Sequence, residues 1–218
     1  GKFLEKMPEA DRQALKTIVI DSYEVGSQNW SNDFAKIFLE KFGYDPIPWL
    51  PVFFGRIVKS ADLSNRFLWD VRRLTADLIA ENYVATFREL SNKHGLKLWV
   101  ENYGHWGFPA EFLKYGGKAD MISGEFWFEN PFWDLGPLES RAASSAAHIY
   151  GKNKVFAEAF TAGFNFRQYP GSMKKRGDRI FCEGVNHFVL HVYIHQPWDD
   201  KVPGVTAWFG MSFQRNNT

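Results

Sequence analysis

Five short apolar segments of strand type alternate with longer amphipathic segments along this chain. The apolar segments cover residues 17–20, 96–100, 121–123, 155–160 and 188–194. They lie too far apart in sequence to pair as hairpins, and the intervals between them have helical periodicity. Because strands that alternate with helices usually pair in parallel, we expect one α/β domain spanning residues 1–218.

The amphipathic intervals predict five helices. They cover residues 32–42, residues 64–94, a segment starting at Pro109, a segment starting at Pro137, and residues 172–182. Apolar residues recur on one face of the first two, at Phe34, Ile37, Phe38 and Phe42, and at Phe67, Val71, Leu74, Leu78 and Phe87. The fourth has a face of small residues that suits close packing on a sheet, namely Ala142, Ala143, Ala146 and Ala147.

Two architectures fit this pattern. One is an open, doubly wound parallel sheet. The other is a (β/α)8 TIM-type barrel, which usually needs about 250 residues and eight strands. Since five strands are visible, a barrel would be present only in its later part.

Composition excludes several classes of function. The chain has 26 basic and 25 acidic residues, a net charge of +1 and no block of like charge, so no nucleic-acid partner is indicated. No apolar segment approaches the roughly 20 residues of a membrane span. The single cysteine, Cys182, allows no internal disulfide, and the first residues contain no signal-peptide core, although they could follow a cleavage site. Localisation therefore stays open.

Acidic side chains stand at or just after the first four apolar segments, and a histidine follows the fifth. They are Asp21 and Glu24, Glu101, Glu125, Glu158 and, last, His195. The carboxyl ends of parallel strands meet at one face, which carries the active site in α/β folds. This arrangement predicts a carboxylate-lined site.

No glycine-rich phosphate or dinucleotide loop and no GxSxG motif supports a nucleotide-dependent or serine-hydrolase function. Paired carboxylates are what glycoside hydrolysis requires, one as general acid and one as base or nucleophile. The chain also has 9 Trp, 8 Tyr and 21 Phe, which either fill the core or offer platforms for sugar rings. The candidate substrate-binding residues are Asp21, Glu101, Tyr103, Trp127, His195 and Trp198.

Three histidines recur at a spacing of four, at His187, His191 and His195. The β-branched residues between them favour a strand, along which they would lie too far apart to share a metal ion. We expect His191 to be a hydrogen-bonded interior residue and His195 to contact substrate at the rim.

Several segments, taken in order, resemble glycoside hydrolase family 106, the α-L-rhamnosidases. They are IDSYEVGSQNW, GYDPIPWLPVFFG, ENYG, GEFW, AEAFT, GVNHFVLHVYIHQPWDD and the terminal FQRNNT. The resemblance runs from about residue 21 to residue 218.

That resemblance implies a (β/α)8 barrel within a much longer, secreted or periplasmic polypeptide that degrades rhamnose-containing polysaccharides. The five strands would be the fourth to eighth of the barrel. The implied reaction is inverting hydrolysis of terminal α-L-rhamnose, with Glu24 as acid and Glu158 as base. An active-site calcium is also implied, with Glu125 as the leading calcium or sugar ligand. A similar glycosidase acting on another sugar, or a catalytically silent carbohydrate-binding barrel, are the alternatives.

Overall fold

The computed structural model describes residues 2–27, 30–102, 108–128, 137–163, 168–207, 213, 214 and 216, without the side chains of residues 3 and 137–139. Its helices are α1 Lys2–Lys6, α2 Glu9–Arg12, α3 Phe34–Phe42, α4 Ala61–Leu78, α5 Thr86–Lys93, α6 Phe112–Gly117, α7 Pro137–Ile149 and α8 Pro170–Cys182. A 3₁₀-helix covers Ile47–Phe54, and a π-helix, Ile79–Ala85, joins α4 to α5. The strands are β1 Thr17–Ile20, β2 Lys97–Glu101, β3 Met121–Trp127, β4 Val155–Thr161 and β5 His187–Leu190.

The five strands form one parallel sheet in which spatial order equals chain order. A doubly wound sheet has a point where strand order reverses, and the described strands contain no such point. The described sheet is therefore a parallel, in-order half-barrel and not the doubly wound sheet. None of the helices in the described ranges is long and apolar enough to cross a membrane.

Alternate residues of each strand point outward and pack against helices. Residues of β3 and β4, such as Ile122, Phe126 and Ala157, form one buried cluster with Ala143 and Ala146 of α7. Alanine has almost no side chain, so α7 approaches the sheet closely, as its sequence predicts. This contact holds β3 and β4 against α7, and it thereby fixes the position of the residues at the ends of these two strands.

A second core lies between α3 and α4, where Phe34 and Phe38 pack against Phe67 and Leu74. These faces agree with the sequence prediction. Phe87 does not, because it is 39% exposed. The π-helix changes the rotation of the chain between α4 and α5, so the apolar repeat cannot be extended through it.

Several predicted boundaries are wrong, and β3, for example, extends to Trp127 instead of ending at residue 123. The last strand was expected over 188–194 but ends at Leu190, so His195 lies five residues beyond it. The helix expected to start at Pro109 begins at Phe112, and the one expected at 172 begins at Pro170. Pro170 lies in the first turn, where its missing N–H costs no helical hydrogen bond.

The inward face of the sheet is only partly covered. Trp99 packs edge-on against Phe156 at 6.4 Å between ring centroids, and Phe156 lies 4.8 Å from the His187 ring. On the outer strands, Val19 is 59% and Val189 46% exposed. The aromatic layer thus supports the acidic residues above it, while the two edges of the face stay open within the described chain.

Candidate active site

Three carboxylates meet at the carboxyl ends of β1, β2 and β4. One oxygen from each of Asp21, Glu101 and Glu158 lies within 4.8 Å of the other two. Asp21 directly follows β1, Glu101 ends β2, and Glu158 lies in β4. The parallel, in-order sheet brings them together although more than 130 residues separate the first from the last, as the strand-end pattern predicted.

Glu101 is the most enclosed member of this group, at 1% exposure. Burial, followed by the charges of Glu158, Glu125 and Asp21, raises its pKa well above the ordinary value. The Asp21 carboxylate lies within 4.8 Å of Glu101 and adds to this preference for the neutral form. Within the described residues, Oε1 of Glu101 has no hydrogen-bond partner. Glu101 is thus a protonated acid or the ligand of a cation.

Glu158 is half-buried and contacts two polar groups through one oxygen. The Thr161 hydroxyl donates to Oε1 at 2.6 Å, and Nδ1 of His191 lies 3.4 Å from the same atom. Burial raises the pKa of Glu158, and Asp21 and Glu24 add to this effect, whereas Thr161 and His191 oppose it. The carboxylate is therefore fixed on one side while it stays close to the other acids.

Glu125 occupies the neighbouring position on β3. It is buried, it pairs in register with Glu158 of β4, and its charge raises the pKa of Glu101. Registered residues of adjacent strands project from the same face, about 4.8 Å apart. Glu125 thus extends the acidic group, and its predicted role as a calcium or sugar ligand stays a prediction.

Glu24 lies on the loop after β1 and is exposed. Its carboxylate accepts a hydrogen bond from the Ser22 hydroxyl, and its charge acts on Glu158. The structure therefore places both members of the predicted catalytic pair at the same end of the sheet.

The other predicted contacts lie further out. Trp127 ends β3 half-buried, and its carbonyl accepts a hydrogen bond from Arg176 at 3.0 Å. Trp198 and His195 are exposed on the segment after β5. Tyr103 lies outside the described residues. The prediction that a strand delivers His195 to the rim is wrong, while its role in binding stays a prediction.

Two residues near Glu158 were not proposed as site residues from sequence. His191 was expected to be a hydrogen-bonded interior residue, and it directly follows β5 with Nδ1 3.4 Å from Oε1 of Glu158. Thr161 was noted only within the segment AEAFT. Strand alternation places a residue three positions after Glu158 on the opposite face, so no sequence pattern indicates that contact.

The donor set of the three carboxylates suits a hard cation. Calcium binds oxygen ligands at about 2.3–2.6 Å, so two oxygens on one ion lie no more than about 5 Å apart. The 4.8 Å limit for Asp21, Glu101 and Glu158 meets this condition. The buried Oε1 of Glu101 also lacks a protein partner among the described residues, which a cation would supply.

Comparison with known proteins gives a consistent result. A family model for glycoside hydrolase family 106, described as alpha-L-rhamnosidase, matches residues 2–218. A protein of Formosa agariphila named "Putative beta-glucuronidase" is 40% identical over 217 residues, which are 99% of this chain and 18% of that relative. The structure of a rhamnosidase from Novosphingobium sp. PP1Y matches with a TM-score of 0.80 at 34% identity, over 92% of this chain and 20% of that one. The chain spans about one fifth of the length of each relative.

Proposed function

The chain belongs to glycoside hydrolase family 106, the α-L-rhamnosidases, and we propose on that premise that it forms part of a rhamnoside-hydrolysing active site in a longer enzyme. The observation that carries the proposal is the meeting of Asp21, Glu101 and Glu158 within 4.8 Å at the strand ends. Three acids held this close in a partly buried site are costly for stability, because like charges repel strongly at low dielectric. Such a cost is typical of catalytic sites.

We assign the general base to Glu158 and the general acid to Glu24. In an inverting step, Glu158 takes a proton from water as the water oxygen bonds to the anomeric carbon. The bond from that carbon to the leaving oxygen breaks, and Glu24 gives its proton to this oxygen. The Thr161 hydrogen bond supports the base role, because a donor to a carboxylate favours its ionised form.

Asp21 and Glu101 would hold a calcium ion, with Glu158 and Glu125 beside them. The ion would neutralise the clustered carboxylates and orient adjacent sugar hydroxyls. Glu101 would then be ionised in spite of its burial, because a bound cation reverses the effect of the surrounding negative charges. Without a cation, the same cluster must carry at least one proton.

A neutral sugar suits this site better than an acidic one. A hexuronic acid would bring a further carboxylate next to Asp21, Glu101, Glu125 and Glu158. A 6-deoxy sugar such as rhamnose carries a methyl group in place of that acid and so adds no negative charge to the cluster. The Formosa relative makes a β-glucuronide the second substrate to test.

The described sheet would supply the fourth to eighth strands of a (β/α)8 barrel. The in-order parallel arrangement and the exposed inward residues Val19 and Val189 support this. A closed barrel fills its interior with side chains from all of its strands, which would cover both valines. Secretion or periplasmic export of the longer protein is proposed on the family alone.

The test uses the full-length protein that contains this chain. We expect it to hydrolyse 4-nitrophenyl α-L-rhamnopyranoside, and to release β-L-rhamnose first when the reaction is followed by ¹H NMR. The corresponding β-D-glucuronide serves as the matched substrate control. Hydrolysis of the glucuronide alone would overturn the substrate assignment, and binding of rhamnosides without turnover would support the silent carbohydrate-binding alternative. Early release of the α-anomer would contradict inversion.

A further inference from the structure

Strand β4 contains a bulge two residues after Glu158. Phe126 of β3 pairs with Ala159 of β4, but the next residue, Trp127, pairs with Thr161, so one residue of β4 is left over. That residue is Phe160, which adopts a left-handed backbone with φ of 64°. A phenylalanine in this conformation is strained by about 1–2 kcal/mol, so the surrounding packing must hold it there. Its ring is held between Phe126 and Phe188, at 4.8 and 5.5 Å between centroids.

The bulge changes the direction in which the following residue points. In a regular strand, carbonyl groups two residues apart point to the same neighbouring strand. Here the Ala159 carbonyl accepts from the His191 amide on the β5 side, whereas the Thr161 carbonyl accepts from the Phe128 amide on the β3 side. The extra residue thus reverses the orientation of Thr161, so that its carbonyl points toward β3 instead of β5.

The same reversal places the Thr161 side chain on the inward face. Three positions after Glu158, a regular strand would place it on the outer face among the helices. The bulge instead puts its hydroxyl 2.6 Å from Oε1 of Glu158, and Thr161 is fully buried. His191 reaches the same oxygen from the other side, at 3.4 Å.

We propose that Thr161 is a positioning residue of the hydrolytic reaction, turned toward Glu158 by the bulge at Phe160. It fixes Oε1, so that the other carboxylate oxygen, Oε2, takes the proton from the attacking water. This inference rests on the proposed function, in which Glu158 is the base. It explains the strained backbone of Phe160, which the catalytic roles alone leave unexplained. Bulges beside active sites often reorient a side chain in this way.

The test compares Thr161→Val with Thr161→Ser in the full-length protein, using the aryl rhamnoside. Valine keeps the shape of threonine but removes the donor, so we expect kcat to fall by about 10–100-fold with little change in KM, as for a misplaced reactive group. Serine keeps the hydroxyl and should retain most of kcat. Thr75→Val is the matched control, because Thr75 is also buried but its hydroxyl bonds only the Val71 carbonyl of α4 among the described contacts.

Several outcomes would overturn the proposal while the proposed function survives. They are an unchanged kcat in Thr161→Val, an equal loss in Thr161→Ser, or an equal loss in Thr75→Val. If the wild-type protein hydrolyses no rhamnoside, the proposed function fails. The positioning role of Thr161 is then tested by crystallography instead of kinetics. A crystal structure of Thr161→Val in which the Glu158 carboxylate keeps its orientation would then contradict the positioning role, and a rotated carboxylate would support it.

Discussion

Glu125 of β3 and Glu158 of β4 pair in register, so two acidic side chains stand next to each other on the inward face of the sheet. Registered neighbours in a parallel sheet are about 4.8 Å apart, and like charges in such positions destabilise it. Glu101 adds a third acid, because the charges of both residues raise its pKa. A bound proton or cation is therefore needed to lower the repulsion among these three acids when the site is active.

Glu24→Gln and Glu158→Gln are expected to lower turnover on alkyl rhamnosides by about 10²–10⁴-fold, because each removes a proton-transfer group. A 4-nitrophenolate leaving group needs no proton, so the aryl substrate should restore activity to Glu24→Gln but not to Glu158→Gln. Steady-state kinetics of the full-length variants on both substrates measure this. Glu40→Gln is the control, since Glu40 is exposed on α3 and pairs only loosely with Lys36 at 4.0 Å.

Restored activity in Glu158→Gln instead would exchange the two roles. Near-normal turnover of either amide variant on the alkyl substrate would remove that residue from the catalytic pair.

Removal of a bound cation is expected to lower kcat by about 10–100-fold, the effect typical of weakened metal sites. Exhaustive treatment with a chelator should lower activity to this extent, and added calcium should restore it. Glu101→Gln should abolish the calcium response, because Glu101 is the most buried of the three clustered acids. Elemental analysis of the purified protein measures calcium directly.

Full activity after chelation, with no metal found, would exclude the cation. A proton shared between the neighbouring Asp21 and Glu101 carboxyl groups would then lower the repulsion in the cluster.

Much of the sheet could be predicted from sequence, because the burial of its strands requires short apolar segments. Strand β1 has its predicted limits, and the alanine face of α7 packs on the sheet as expected. The contact of Thr161 with Glu158 could not be predicted, since the bulge arises from pairing with β3 and from aromatic packing around Phe160. Such tertiary effects have no periodic signal in the sequence.

The same limit explains the error at Phe87. An apolar repeat predicts a buried face only while the helix keeps one period, and the Ile79–Ala85 π-helix interrupts it. The position of His191 could be predicted only approximately. Strand β5 ends at Leu190, which pairs with Ala159 of β4, and the bulge begins at the next residue of β4.

Asp120→Asn is expected to loosen the contact between α5 and the sheet at neutral pH. Asp120 accepts hydrogen bonds from Arg88 at 3.0 Å, from Asn92 at 2.8 Å and from the Leu98 amide at 2.9 Å. Burial favours its neutral form, but these donors outweigh burial and lower its pKa. A carboxyl with a lowered folded-state pKa stabilises the fold above its unfolded pKa, about 3.9, and that stability is lost as pH falls through the folded value.

Hydrogen–deuterium exchange of peptides covering α5 and β2, corrected for intrinsic rates, measures the local stability of this region within a longer protein. We expect faster exchange in Asp120→Asn at pH 7 and a shrinking difference from wild type below about pH 4. The control is Asp62→Asn, whose ion pair with Arg66 is well exposed and should contribute less than about 1 kcal/mol. A difference that stays constant down to pH 3 would show that the charge of Asp120 does not stabilise the contact.

Residues 1–218 expressed alone are expected to associate or to lack fixed packing, and not to hydrolyse rhamnosides. In the described chain, β1 and β5 each pair with one strand only, and Val19 and Val189 expose apolar surface on the inward face. Unpaired strand edges beside apolar surface favour association between chains. Extension toward the N-terminus by about three βα units would supply the missing strands of an eight-stranded barrel.

Light scattering after size-exclusion chromatography and thermal unfolding of both proteins measure this difference. Val19→Thr with Val189→Thr separates the two causes, because it keeps the β-branched shape and removes apolar surface while leaving the edges unpaired. If this double variant of residues 1–218 becomes monomeric, the inward face drives association, and if it stays associated, the edges do. A monodisperse wild-type monomer of this span with a sharp, cooperative unfolding transition would contradict the partial barrel, because three buried clusters would then suffice for an independent α/β fold.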